Sequence, residues 1–407
     1  MKVLHLSVNI SGGAGIAAAR SVAALKLNGV DADIFMLGSG GIVRSSLMTL
    51  WRRRMDNSLI RFYRKRNLFS VWSNNWLPSA VAPLIRAEKP DIVHLHWLGD
   101  GALNWSELDQ FKVPVVWTLH DPWAFTGGCH YPAGCRRFML NCGECPQLGS
   151  RQLHDLSWWN LRRKKRNVDA VSRWIAPSRW MGVLASQGGI LMADRLKVIP
   201  NGLDGQLYKR LNGQAARLRL GIADDMVVLV TGAADLSEPR KGVYILPEML
   251  RKLQGMISRR VVVLMVGEVG ELSGIWPAEF IWTGSLSTTE ELSEVYSMAD
   301  VFILPSLQDN LPNVVLEALA CGCPTVGFNS GGLTDIISNG VTGWVADRID
   351  AGGLALAIYH WLLTGTDRDV TAEVCRRQFD ASYTLERHGA NLMALYKEVL
   401  EEKRLGL

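Results

Sequence analysis

The stretch Ala299–Asp335, ADVFILPSLQDNLPNVVLEALACGCPTVGFNSGGLTD, reads as strand, loop, helix, strand and loop. Val301 to Leu304 form a short apolar run stopped by Pro305, the pattern of a parallel strand buried on both faces. A polar loop follows from Ser306 to Asn310. Pro312 suits the first turn of a helix running to about Cys321, where Gly322 can end it. Pro324 then opens a second apolar strand, and Gly331-Gly332 precede another helix. Two acids bracket the first helix start, Asp309 in the loop and Glu317 in the helix, with seven residues between them. This spacing can aim both carboxylates, and the backbone N–H groups around Asn310-Leu311-Pro312-Asn313, into one crevice at the strand's carboxyl end. Open parallel sheets bind ligands in such a crevice, and the helix N-terminus there favours an anion. A carboxylate also accepts well from paired sugar hydroxyls. A turn acid and a solvated helix acid would give the same spacing.

A family resemblance favours the first reading. Pro305-Ser306, then Asp309, seven residues, Glu317-Ala318-Leu319-Ala320-Cys321-Gly322-Cys323-Pro324 and a downstream Gly331-Gly332 resemble the carboxyl-terminal half of the family-4 nucleotide-sugar glycosyltransferases. The resemblance implies an α/β chain of GT-B architecture, two Rossmann-like doubly wound parallel-sheet domains facing across a cleft. It implies transfer of a sugar from a UDP- or GDP-sugar with retention of configuration. It assigns Glu317 to the nucleotide ribose and the first acid to the donor sugar. That first acid is usually Glu; Asp309 is one methylene shorter.

At 407 residues the chain has room for two domains with their own cores. A hydrophobic content of 48% with 20% charged residues is that of a globular protein. With no run of ~18 apolar residues, a transmembrane helix is not expected. The start, MKVLHLSVNISGG, turns glycine-rich too early for a signal-peptide core, so a cytoplasmic protein is expected. A net charge of +5 suits anionic substrates or an anionic membrane surface and does not call for nucleic acid. Eleven of the fifteen tryptophans precede residue 200, so interfacial or sugar-stacking aromatics are expected in the first half.

Along the chain, βα alternation predicts domains at 1–200 and 201–384, and the resemblance implies that a closing helix at 385–407 packs back on the first. A strand at Val3–Ser7 runs into Ser11-Gly12-Gly13-Ala14-Gly15 and an alanine-rich helix. Gly13 and Gly15 would let backbone amides approach a phosphate or sugar. The spacing is not GxGxxG and no acid ends the next strand, which excludes a dinucleotide site. Asp31-Ala32-Asp33 is read as a turn before a strand rather than a metal-binding Asp-x-Asp.

Trp51–Asn67, WRRRMDNSLIRFYRKRN, is read as a basic aromatic helix suited to anionic headgroups. Trp158-Trp159 followed by Arg162-Arg163-Lys164-Lys165-Arg166 repeats that chemistry; either patch is equally a solvated helix face. Asp91–Trp97 and Val115–Leu119 are strands, and His120-Asp121 falls just past the second. The resemblance places His120 at the donor sugar. His94 is read as core, and His96 is left open. Four of the seven cysteines, Cys129, Cys135, Cys142 and Cys145, fall within seventeen residues. In a cytosolic setting such clusters point to a structural zinc, with His130 an alternative ligand and reduced thiols the other reading. The cysteine spacing, following Trp117-Thr118-Leu119-His120-Asp121, is similar to that of the colanic-acid-type exopolysaccharide branch of the family.

The loop Asp235–Gly242 carries Arg240 and Lys241, cations able to hold a diphosphate. The resemblance supports Lys241 before its glycine; Ala233 stands where the family's Arg would be, and Arg240 is a candidate substitute. No catalytic metal is expected, because a lysine and helix-end amides already meet the leaving-group charge. The acceptor is read as a lipid-linked saccharide from the basic aromatic patches. Two other functions fit a diphosphate site, a nucleotide-sugar 2-epimerase and a donor-binding subunit without turnover.

Overall fold

A computed structural model of the chain describes residues 1–38, 54–79, 81–268, 276–286, 288–365 and 367–406. The chain divides into two compact units, Met1–Gly202 with Leu385–Leu407, and Leu203–Thr384.

The first unit contains β1 (Lys2–Ser7), α1 (Gly12–Leu27), β2 (Asp31–Met36), α2 (Val81–Glu88), β3 (Ile92–Leu95), β4 (Val115–Thr118), α3 (Leu156–Asn167), β5 (Arg173–Ala176), α4 (Arg179–Gln187) and β6 (Leu196–Val198). Its strands are all parallel in the order β2-β1-β3-β4-β5-β6. The second unit contains α5 (Gly213–Arg219), β7 (Val227–Asp235), α6 (Leu246–Gln254), β8 (Val261–Glu268), β9 (Glu279–Gly284), α7 (Thr289–Met298), β10 (Val301–Leu304), α8 (Asn313–Ala320), β11 (Thr325–Phe328), β12 (Gly343–Ala346), α9 (Ala351–Leu363) and α10 (Arg368–Ser382). Its parallel sheet runs β12-β11-β10-β7-β8-β9. Helix α11 (Leu385–Leu405) then packs on α1, setting Leu392, Leu395, Tyr396 and Val399 among Val3, Val22 and Ile92 of the first unit.

The strands read as unbroken apolar runs because both of their faces are covered. Val228, Val230, Phe302 and Leu304 enter one core, while Val227, Leu229, Val301 and Ile303 enter the other. That period-2 division, with helices on both sides, makes the sheet doubly wound. In each sheet the chain starts near the middle and builds outward in both directions. The strand order therefore reverses between β1 and β3 in one unit and between β7 and β10 in the other. Loops leaving the carboxyl ends on either side of such a reversal diverge and open a crevice.

Several expectations shift. Gly12 to Gly15 form the first turn of α1 rather than a loop before it. Asp31 and Asp33 lie inside β2, where Asp33 pairs with Lys26 at 3.1 Å. Gly331–Asp335 is a 3-10 turn rather than the start of an α-helix. Trp51, Arg52 and Arg53 lie outside the described residues. The rest of that stretch is not one helix: residues 54–58 are helical, and a 3-10 turn ends at Phe62. No described helix is long and apolar enough to cross a membrane.

Candidate functional site

In the second unit, the loops after β7 and β10 meet at the reversal point through backbone contact. Gly242 has φ +67°, and a Cβ there would stand 2.0 Å from the Pro305 carbonyl oxygen. Gly331 has φ +73°, and its Cβ would stand 1.7 Å from the Asp309 carbonyl oxygen. Only glycine permits both the left-handed conformation and the approach. The Leu307 N–H donates to the Arg240 carbonyl at 2.8 Å and the Gly332 N–H to the Asp309 carbonyl at 3.0 Å, which locks the loops in register.

Within this frame Lys241 Nζ lies 2.7 Å from Asp309 Oδ2, with the lysine side chain 20% exposed. Arg240 Nη1 reaches the same oxygen at 3.2 Å. Burial alone would raise the Asp309 carboxyl, but Lys241 and Arg240 outweigh it and hold the group down to about 2. Asp309 is therefore an anion at neutral pH. Arg240 is turned inward, contrary to its expected role on a diphosphate. It donates from Nε and Nη2 to the Glu238 carboxylate and from Nη1 to the Gln308 carbonyl, and is buried. Its chemistry is that of a clamp on the Asp309 loop, which leaves Lys241 as the cation at the surface.

Glu317 sits one turn into α8 and is buried, with the Tyr296 hydroxyl of α7 donating to it at 3.4 Å. Burial, and then the Glu317 charge, push the Tyr296 hydroxyl well up, so it stays a donor. Asn310 and Leu311 are buried, and the Asn310 N–H donates to Asp309 Oδ1 at 3.1 Å. Pro312 caps the helix in an extended conformation and Asn313 is the first helical residue. Lys241, Asp309, Asn310 and the start of α8 thus share one carboxyl edge, where the helix dipole adds to the lysine.

In the first unit, His120 follows β4 and its Nε2 lies 2.9 Å from His96 Nδ1. Burial, only partly opposed by Asp121, brings it to about 4, so the ring is neutral near pH 7. Asp121 accepts from His130 Nδ1 at 2.7 Å, from Trp97 Nε1 at 2.7 Å and from the Trp123 N–H at 2.9 Å. Burial opposes its ionisation, but His130 and these donors win and hold it low. His130 Nε2 lies 2.9 Å from Ser73 Oγ, so both ring nitrogens of His130 are engaged. Gly13 is exposed in the first turn of α1. Gly15 is buried, and a Cβ there would strike the Asn9 carbonyl oxygen at 2.6 Å, so its role is packing rather than the expected ligand approach.

All four loop cysteines carry free thiols. Burial, and secondarily the neighbouring thiols, raise Cys129 well up, while burial pushes Cys142 to about 12 and Cys145 to about 11. They share one neighbourhood, yet no three of their sulfurs approach within 4.8 Å of one another. Among the described residues the one metal-sized group is His5, His94 and His96.

The second basic patch is also turned partly inward. Lys164 is buried, donating to the Trp123 and Thr126 carbonyls with its ammonium 4.0 Å from the Trp123 ring centre. Arg163 donates to the carbonyls of Asn74 and Asn75, both at 2.7 Å. Five tryptophans of this unit, Trp72, Trp105, Trp117, Trp123 and Trp174, are core rather than interfacial. Trp117 stacks on Trp105 and Trp174 at 4.9 and 5.5 Å. Trp159 and Phe62 remain exposed. The histidine layer and the Ser73–His130–Asp121 chain went unread in the sequence. The signal available was His94-x-His96 in one strand, a spacing that puts both rings on one face.

Residues 11–207 match the family described as Glycosyltransferase Family 4, and residues 225–363 match Glycosyl transferases group 1. The chain belongs to this group 1 / family 4 superfamily and has the GT-B fold: it is a glycosyltransferase that uses a nucleotide sugar. Among its relatives is the D-inositol 3-phosphate glycosyltransferase of Acidothermus cellulolyticus, 25% identical over 331 residues that span 77% of this chain and 68% of the relative. Sucrose-phosphate synthase from Thermosynechococcus elongatus shares the fold with a TM-score of 0.71 at 18% identity, covering 98% of this chain and 99% of that one. HepE of Anabaena, solved in complex with UDP-glucose, gives 0.67 at 20% identity, covering 98% and 100%.

Proposed function

We propose that the enzyme moves a hexose from a UDP- or GDP-sugar to a hydroxyl of a lipid-linked saccharide in surface or exopolysaccharide assembly, as in the colanic-acid-type branch. Configuration is retained and catalysis uses no metal. The observation that carries this reading is the Lys241–Asp309 pair at the reversal point of the second sheet, beside the start of α8 and Glu317. Lys241 and the helix-end amides stabilise the charge that grows on the departing diphosphate. Asp309, kept ionised, accepts from a hydroxyl of the donor sugar, and Glu317 takes the ribose hydroxyls. His120 is assigned to the donor sugar as well. The leaving phosphate oxygen takes the acceptor's proton as the new glycosidic bond forms on the face the diphosphate leaves. The UDP-glucose held by the Anabaena relative makes UDP-sugars the first donors to test.

The test is to incubate the purified chain with UDP- and GDP-sugars, with and without lipid-linked saccharides, and to follow products by NMR. Acceptor-dependent transfer with the donor's anomeric configuration supports the proposal. An inverted linkage removes retention, and C2 epimerisation of donor alone replaces transfer with epimerase chemistry.

Two attachments are proposed separately. Exposed Arg54, Arg61, Arg64, Lys65 and Arg66 beside Phe62 support contact with an anionic membrane surface at the inner face of the plasma membrane. Flotation that ignores lipid charge would remove that idea. A structural zinc on Cys129, Cys135, Cys142 and Cys145 requires the four sulfurs to draw together, with His130 already engaged by Asp121 and Ser73. Elemental analysis finding no bound metal would end it.

A further inference from the structure

Five of the eight histidines gather in the first unit. His5 on β1 is the register partner of His94 on β3, and His96 follows on the same face. His120 lies past β4, and His388 on α11 completes the group. His94 is held by Tyr396 Oη at 2.6 Å and Thr118 Oγ1 at 2.7 Å. The other rings form a line: His5 Nδ1 lies 2.8 Å from His96 Nε2, and His96 Nδ1 lies 2.9 Å from His120 Nε2. Burial holds His5 to about 3, His120 to about 4 and His96 well below its ordinary value, so all three are neutral near pH 7.

A neutral imidazole has one N–H and one bare nitrogen. Two hydrogen bonds through three such rings must therefore run in a single direction. If they run toward His5, its Nε2 carries a hydrogen; if they run toward His120, that nitrogen is a bare lone pair. Among the described residues, His5 Nε2 is buried with no hydrogen-bond partner. A buried donor without an acceptor is the rarer and costlier outcome, which favours the direction from His5 to His120.

We propose that His5 and His96 are positioning residues that fix the His120 tautomer, with Nε2 accepting from His96 and the hydrogen on Nδ1. His120 then meets its ligand as a hydrogen-bond donor and not as a base. The ligand being a donor sugar rests on the function proposed above; the tautomer does not. The same rings could be spanned by a divalent ion, since His5, His94 and His96 offer nitrogens within 4.8 Å of one another, but binding would displace the hydrogen bonds that thread them.

Histidine 15N NMR of the full chain near neutral pH, without donor, tests this directly. The expected pattern for His120 is a protonated Nδ1 and a bare Nε2. His5→Phe removes the head of the chain and should turn His120 into a mixture of tautomers. His5→Asn keeps an N–H near the Nδ1 position and should restore the single form. A protonated Nε2 in the wild-type protein overturns the proposal without needing any variant. An unmoved His120 in folded His5→Phe overturns it as well. Stoichiometric Zn2+ binding that shifts the His5, His94 and His96 signals would replace it with a metal site. Failure to bind any sugar nucleotide with the tautomer pattern intact would fault the proposed function alone.

Discussion

Lys241 faces one anion in the structure and a second in the proposed reaction, and the two roles separate on mutation. Lys241→Ala should weaken sugar-nucleotide binding and turnover by removing the surface cation. Glu317→Ala should cost donor affinity by about 1–3 kcal/mol, the value of a hydrogen bond to a charged group; calorimetry that finds its dissociation constant unmoved would take Glu317 off the ribose. Asp309 gives a pH signature. Its native carboxyl, at about 2, lies below its ordinary 3.8, so its ion pairs stabilise the fold above about pH 4. That contribution is lost as pH falls from about 4 to about 2. Without Lys241 the carboxyl moves back toward its ordinary value, so the stability lost between pH 6 and pH 3 should be smaller than in the wild type, which urea titrations at those two pH values would detect. Arg240 shows where sequence reading stopped at this scale. Its type and position are those of a phosphate ligand, and only the tertiary placement of Glu238 and Gln308 shows that its guanidinium is turned inward.

At the scale of elements, two turns carry the geometry. Gly331→Ala forces a side chain into a left-handed residue and against the Asp309 carbonyl, so it should lower both stability and donor affinity. Gly284 has a similar φ of +69° with open space around it. Gly284→Ala should therefore cost only the backbone strain, about 1 kcal/mol, and leave donor affinity near wild type. Equal effects at the two glycines, by thermal unfolding and donor titration, would contradict the packed-loop account. The β10–α8–β11 run was legible because a four-residue apolar strand, a proline at the helix start and a glycine at its end are local signals. The tryptophan-rich half was misread because residue type reports hydrophobic area and leaves its direction open. Trp105, Trp117 and Trp174 stack inward, and Lys164 follows them into the core. Gly15 resembled a ligand loop, but the space a Cβ would need is taken by the Asn9 and Ile10 backbone, a contact the sequence does not display.

At the scale of the whole molecule, the parallel doubly wound sheets were readable from βα alternation, and their strand order then fixed where ligand chemistry can gather. The histidine layer was not readable, since it exists only once β1, β3 and the closing helix α11 are brought together. It has a global consequence. His5, His120 and His388 are lowered to about 3, 4 and 4 by burial, and His94 and His96 also fall well below 6.5. Between about pH 4 and 6.5 the unfolded chain therefore binds more protons than the folded one, and stability should drop as pH falls through that window. Unfolding at pH 5 should take up more than one proton; a pH-independent midpoint from pH 7 to 4.5 would contradict the buried neutral layer. In the other unit, Lys241, Asp309 and Glu317 are proposed to form a sugar-nucleotide site. Calorimetric titration of the full chain with a panel of UDP- and GDP-sugars tests it most directly. Saturable one-site binding of at least one member is expected, weakened by both Lys241→Ala and Glu317→Ala. Absence of binding across the panel, or wild-type affinity in both variants, would contradict it.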